Sequence, residues 1–118
     1  MATIKSFTDI EQSKVLVEFL PLESADMWYL GYGSPWESER IYDKEPASYH
    51  STYPQWDIPC WSLAALLGGL PNYKLSSEHN YHTCTVETSF GKETVAWFDN
   101  PIDACYEMIL KLHELKML

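Results

Sequence analysis

The segment YHTCTVETSFGKETVAWF, residues 81–98, decides the fold that this sequence predicts. The side chains of residues 81–88 follow an alternating pattern, and several of them are β-branched. Both features are typical of a strand. Residues 89–92 can turn the chain, and residues 93–98 read as the returning strand. The segment therefore predicts an antiparallel hairpin.

A helix is predicted directly after this hairpin. Asn100 fits the N-cap position and Pro101 fits the first helical position, where the missing N–H costs nothing. The expected inward-facing stripe contains Ile102, Cys105, Ile109 and Leu112, extended by Met108 and Leu115.

Two earlier helices are indicated by caps and apolar spacing. Thr8 followed by Glu11 fits a capping box for the first, which Pro21 is expected to close. Pro59 suits the first turn of the second, which Gly68 and Gly69 should end. The expected buried positions are Ile10, Leu16, Phe19 and Leu20 in the first helix, and Leu63, Leu66, Leu67 and Leu70 in the second.

Two short strands complete the predicted order. Residues 27–32 read as an aromatic strand, and residues 40–43 as its antiparallel partner. The order α, β, β, α, β, β, α predicts an α+β fold. We expect a single domain over residues 1–118, in which one antiparallel sheet of about four strands packs against three helices.

The net charge of −9, with Arg40 as the single arginine, argues against tight binding to a nucleic-acid backbone. Tight binding to a DNA or RNA backbone needs several cations, so direct nucleic-acid binding is not expected. An acidic surface favours solubility, a basic protein partner or mimicry of a polyanion. The longest apolar stretch, residues 63–67, is too short to cross a bilayer, and no membrane association is predicted.

Cys60, Cys84 and Cys105 are odd in number, far apart, and form no C-x-x-C motif. Each lies in an apolar or strand-like context, which predicts buried free thiols. Such thiols, together with an N-terminus that lacks a signal-peptide pattern, predict a cytoplasmic protein.

The sequence offers few candidate residues for metal binding or catalysis. His79, His82 and Cys84 could bind zinc, but a solvated loop histidine and a buried thiol are the simpler interpretation. Cys60 and Cys84 lack the electropositive setting that a reactive cysteine needs. The sequence therefore predicts no cofactor, no metal site and no enzymatic activity.

Residues 28–61 carry the functional prediction, because they hold nine of the seventeen aromatic residues. Prolines interrupt this stretch, and its part over residues 33–58 is expected to be irregular. Aromatic faces with one or two cations can stack a base and hold a phosphate, and they can equally anchor in a protein partner. The predicted binding residues are Tyr32, Trp36, Arg40, Tyr42, Lys44, Tyr49, His50, Tyr53 and Trp56.

Three segments give a resemblance: FTDIEQSKVLVEFLPLESADMWYL, DIPCWSLAALLGGLP and DNPIDACYEMILKLHELKML. They are similar to a group of small acidic proteins of unknown activity, encoded by gut bacteria and by their phages or mobile elements. The resemblance brings no site residue or cofactor. It implies a setting in which small accessory proteins often block host defence by binding.

Two functions are therefore expected as alternatives. In the first, a homo-oligomer sequesters a small nucleotide-type signal of host defence in the aromatic segment. In the second, an acidic, aromatic surface inhibits a host defence protein by masking it, and charge speeds the association.

Overall fold

A computed structural model describes residues 5–29, 41–43, 58–89 and 91–117, with the backbone alone at 41–43. Three α-helices and two three-stranded antiparallel sheets occur in this part of the chain, which confirms the α+β class. The chain divides into two compact units, which are described separately. Leu63–Leu118 with Met1–Phe7 form the hairpin unit, and Thr8–Ser62 form the N-terminal unit.

The hairpin unit contains a meander of three strands, β4 (Tyr73–Glu78), β5 (Tyr81–Thr88) and β6 (Gly91–Phe98). The predicted hairpin of β5 and β6 is confirmed, and β5 has the predicted bounds. Strand β4 was not predicted from the sequence. Its side chains are mostly exposed, so it lacks the apolar alternation of a half-buried strand.

One face of this sheet is covered by α3 (Pro101–Glu114). As predicted, Asn100 caps the helix by accepting a hydrogen bond from the Asp103 backbone N–H at 2.8 Å. The predicted stripe is confirmed except at Leu115, which is exposed because it lies past the helix end. Lys111 also reaches the sheet, where its Nζ lies 3.3 Å from the Glu93 carboxylate.

The second helix, α2 (Leu63–Gly68), begins later than predicted. Pro59 does not start it but lies in a strand, β3 (Ile58–Cys60). That strand is at a sheet edge, where a residue without an N–H is tolerated. Leu66 and Leu70 are buried as expected, whereas the other two leucines of the predicted stripe are half-buried.

The N-terminal unit holds α1 (Ile10–Leu16), a 3₁₀ turn (Leu22–Ser24), and strands β1 (Met27–Tyr29), β2 (Ile41–Asp43) and β3. The predicted pairing of β1 with β2 is confirmed, but β3 pairs with the other edge of β1. The central strand of this sheet is β1, the first of its three strands along the chain. The central strand of the hairpin unit is β5, the second of its three. The prediction of one sheet of about four strands is therefore wrong.

The N-cap of α1 is Asp9, not Thr8 as predicted. The Gln12 N–H donates to Asp9 Oδ1 at 2.8 Å, and the Asp9 N–H donates to Gln12 Oε1 at 3.1 Å. The capping box is thus shifted by one residue. The helix also ends at Leu16, before Pro21, so Phe19 and Leu20 lie beyond it.

Thr8 is instead the centre of a buried polar network. Its hydroxyl oxygen accepts the Trp61 backbone N–H at 3.0 Å and lies 2.8 Å from Ser13 Oγ. Its carbonyl accepts a hydrogen bond from the Tyr29 hydroxyl at 2.9 Å. The Trp61 indole donates to Ser24 Oγ at 3.0 Å. The polar ends of both aromatic side chains are thereby satisfied.

Candidate functional site

Most of the predicted binding residues lie outside the described residues. Tyr42 is placed by its backbone alone, in β2 opposite Trp28. The residues outside are Tyr32, Trp36, Arg40, Lys44, Tyr49, His50, Tyr53 and Trp56. The nucleotide-type site therefore stays a prediction, and the structure brings none of its side chains together for description.

The described rings of residues 28–61 are buried or half-buried, and none is exposed. Trp61 and Tyr29 are buried, and Trp28 is half-buried. The exposed aromatic rings of the described chain lie in the hairpin unit instead. Trp97 is 77% exposed, the largest value among the described large hydrophobic side chains, and Tyr81 is 45% exposed.

A β-bulge determines the direction of Trp97. Between the pairs His82↔Phe98 and Cys84↔Val95, two steps along β5 face three steps along β6. Without the extra residue, Trp97 would share the face of Val95, because side chains alternate along a strand. The bulge shifts this alternation, so Trp97 lies on the face opposite α3.

The backbone at this bulge is strained. Trp97 has φ +77°, in the left-handed region that residues with a Cβ rarely adopt. Such a conformation costs of the order of 1–3 kcal/mol and persists where the surrounding structure imposes it. Bulges often redirect a side chain next to a functional site. Here the redirected side chain is the solvent-exposed indole of Trp97.

Tyr81 is held beside Trp97 by a two-residue turn. His79 and Asn80 connect β4 to β5 with φ values of +52° and +66°, as a type I′ hairpin turn requires. Asn and His tolerate this region better than most residues do. The turn fixes Tyr81 opposite Glu78, and both side chains lie on the face that carries Trp97.

The two rings form a pair with an adjoining cleft. The centroids of Tyr81 and Trp97 are 5.8 Å apart, and the ring planes are tilted by 38°. This separation lies within the range of favourable aromatic pairs. A shallow cleft of about 200 Å³ adjoins them, lined by Glu78, His79, Tyr81, Thr83 and Trp97. These residues span all three strands of the sheet.

The charge in this cleft is negative. The carboxylate of Glu78 is exposed, and Glu78 Oε1 lies 3.7 Å from His79 Nε2. No lysine or arginine is among the described lining residues. Lys74 shares the face but lies four residues along β4, about 13 Å from Glu78 at strand spacing. The cleft therefore favours a cation over a phosphate.

Cys84 and Cys105 form a buried thiol pair that joins β5 to α3. Both side chains are fully buried, and their thiols share a hydrogen bond. That bond, followed by burial, raises the pKa of Cys105 far above its usual value. The same bond lowers the pKa of Cys84 against the opposing effect of burial. Neither sulfur is accessible, so neither can attack an external substrate.

Cys60 is also buried, which confirms the prediction of three buried free thiols. Burial, with a smaller contribution from the Asp26 carboxylate, raises the pKa of Cys60 to about 12. Cys60 therefore keeps its proton at neutral pH, and its sulfur is a poor nucleophile.

The residues considered as metal ligands lie in different surroundings. His79 is exposed in the β4–β5 turn, while Cys84 is buried on the face covered by α3. His82 shares that face but is paired with Phe98 at the bulge. No group of three potential metal ligands occurs among the described residues.

A larger cavity of about 570 Å³ lies at the other end of the sheet, lined by Pro71, Asn72, Glu87, Thr88, Ser89 and Met117. Its described lining contains no aromatic ring and no cation, so little there could orient a ligand. We regard the Tyr81–Trp97 cleft as the better candidate because its groups are chemically distinctive and held in place by the turn and the bulge.

Comparisons with protein-family models, curated proteins and solved structures gave no match. No helix in the described part of the chain has the length and apolar character needed to span a membrane.

Proposed function

We propose that this chain is a non-catalytic binding protein that masks a basic surface of a partner protein. Tyr81 and Trp97 serve as the anchors, and Glu78 supplies local negative charge. The observation that carries the proposal is the exposure of Trp97 on a strained β-bulge. A large ring in water on unfavourable backbone gains little for folding, so a role in recognition explains it better.

The chemistry of this surface supports a protein partner. Trp and Tyr are enriched among the residues that contribute most to interfaces, because they bury much area for little entropy. The net charge of −9 would attract a basic partner and speed its association. The sequence resemblance implies a setting in which this partner is a host defence protein, and the acidic charge of the chain favours a basic surface on it.

Sequestration of a nucleotide-type signal receives less support at this cleft. Glu78 would repel a phosphate, and the described lining offers no lysine or arginine to hold one. That function depends on Arg40 and Lys44, which lie outside the described residues. It stays a separate prediction about a different part of the chain.

A selection from a random peptide display library tests the proposed function without a known partner. Wild-type protein should enrich peptides of positive net charge, and their binding should weaken as salt rises. A Trp97→Ala variant should not enrich them. Selection of peptides without charge preference, or equal enrichment by Trp97→Ala, would contradict the proposal.

A Tyr73→Ala variant provides the matched control. Tyr73 is also an exposed ring of the same sheet, at 47% exposure, but it is at the far end of β4 and pairs with Val86 on the other face. Its removal should leave peptide enrichment unchanged. Equal loss in both variants would indicate general stickiness of exposed rings and would remove the Tyr81–Trp97 pair as the anchor.

A further inference from the structure

The cleft beside the ring pair has the features of a site for one cationic group. We propose that it holds the guanidinium group of an arginine side chain from the partner. This inference rests on the proposed function, since it names the chemical group that the masked surface supplies.

The size of the cleft limits its occupant. Its volume of about 200 Å³ is smaller than the roughly 300–1,000 Å³ of sites that enclose drug-sized ligands. A side-chain head with its last methylene groups is of suitable size, while a nucleotide would extend well beyond the lining residues.

The rings favour a planar cation. A guanidinium group can stack on an indole face, and such a cation is attracted within about 6 Å of the ring centroid. Trp is the strongest acceptor for this interaction, and Trp97 is largely exposed. Since Tyr81 lies 5.8 Å away at a 38° tilt, it remains close to a group stacked on Trp97. An ammonium group would be held less well, because it is more strongly hydrated and cannot stack.

A carboxylate stands on the other side of the cleft. Glu78 is on β4 and Trp97 on β6, two strand spacings or about 10 Å apart, with Tyr81 and Thr83 of β5 between them. A guanidinium stacked on Trp97 can therefore direct its N–H groups toward Glu78. Two parallel N–H···O bonds to one carboxylate are the preferred geometry of this pair.

Fluorescence anisotropy with three labelled nine-residue peptides tests the inference. Each is built from glycine and serine and carries three arginines, three lysines or three citrullines. Citrulline keeps the shape of arginine without its charge, while lysine keeps the charge without the planar group. We expect the lysine peptide to bind about threefold more weakly than the arginine peptide, and the citrulline peptide at least about tenfold more weakly.

Three variants test whether the preference for the arginine peptide arises at the cleft. Trp97→Ala should weaken binding of the arginine peptide by about tenfold, and Glu78→Gln by about threefold. Glu87→Gln removes the same charge from the same face of β5, about 20 Å from Tyr81, and should change affinity less than twofold. Circular dichroism spectra should match the wild type for all three variants.

The outcomes separate the inference from the proposed function. Equal affinity for the arginine and lysine peptides, with loss in Trp97→Ala, would overturn the guanidinium site but leave the proposed function standing. Equal weakening by Glu78→Gln and Glu87→Gln would likewise overturn it, because net charge alone would then explain binding. If Trp97→Ala affects none of the peptides, both the inference and the proposed function fail.

Discussion

The two units use a tryptophan in opposite ways. In the N-terminal unit, Trp61 is fully buried, its backbone N–H is accepted by Thr8, and its indole N–H by Ser24. In the hairpin unit, Trp97 is 77% exposed on backbone with φ +77°. The first ring is held by a completed hydrogen-bond network, and the second is turned into solvent by a bulge.

Trp61 therefore stabilises the fold, whereas Trp97 is held by the fold at the surface. The burial of a large side chain with satisfied polar groups contributes several kcal/mol to the free energy of unfolding. An exposed ring contributes little, and a left-handed φ subtracts from stability. Substitutions in the two units should therefore divide into those that change stability and those that change binding.

The largest expected effect follows removal of the buried ring. Trp61→Ala should lower the free energy of unfolding by about 3–5 kcal/mol, since it leaves a cavity and removes the indole hydrogen bond to Ser24. Urea denaturation followed by circular dichroism measures this change. Trp97→Ala should change stability by less than about 1 kcal/mol. Similar losses in the two variants would remove the distinction between the units.

The hydroxyl of Thr8 is the next largest contributor. Thr8→Val keeps the side-chain shape but leaves the buried Trp61 N–H without its acceptor, which should cost about 1–3 kcal/mol. Thr85→Val is the matched control, because its hydroxyl pairs with Thr94 at 3.1 Å on an exposed face. Urea denaturation should show little change for the control, and an equal cost would contradict the network's role.

Alkaline pH should weaken the N-terminal unit through Cys60. Its pKa is raised to about 12 in the folded chain from an ordinary value of 9.0, so between these values the unfolded chain has released a proton that the folded chain keeps. Stability should therefore be full below about pH 9 and fall as pH rises, by at most about 1.4 kcal/mol per pH unit from this group. Urea denaturation from pH 8 to 10.5 measures the slope, which Cys60→Ala should reduce. An identical slope in the variant would contradict the burial of this thiol.

Lys116 also has a left-handed backbone conformation, but it is not among the lining residues of the Tyr81–Trp97 cleft. It has φ +60° just after Leu115, the C-cap of α3, where its N–H donates to the His113 carbonyl at 3.0 Å and the Met117 N–H donates to the Leu112 carbonyl at 2.8 Å. Glycine is the usual residue at this position of such a helix end. Lys116→Gly should raise the melting temperature, with a gain of about 1 kcal/mol, and leave peptide binding unchanged. A destabilised variant would contradict the left-handed assignment.

The hairpin and the last helix were predictable because their signals are local. The alternation from Tyr81 to Thr88 and the Asn100–Pro101 cap each specify an element without tertiary information. Pro59 was misread because proline suits an edge strand as well as a helix start, and only pairing with β1 distinguishes them. The capping box was displaced because Thr8, Asp9, Glu11 and Gln12 offer two overlapping versions of one motif.

The candidate site was missed for a different reason. In ETVAWF, Trp97 is in phase with Val95, so alternation alone predicts that it faces the helix. The bulge that reverses it is a property of the pairing between β5 and β6 and has no glycine to mark it. The available signal was a large ring three residues before Asn100, the predicted N-cap of the last helix.

The comparison of Trp97→Gly with Trp97→Ala tests most directly the claim that Trp97 is held on strained backbone for recognition. Both variants should lose binding of basic peptides. Urea denaturation should show the glycine variant to be more stable by about 1 kcal/mol, the reverse of an ordinary strand position, because glycine adopts φ +77° without a Cβ clash. A more stable alanine variant, or peptide binding retained by either variant, would contradict the account.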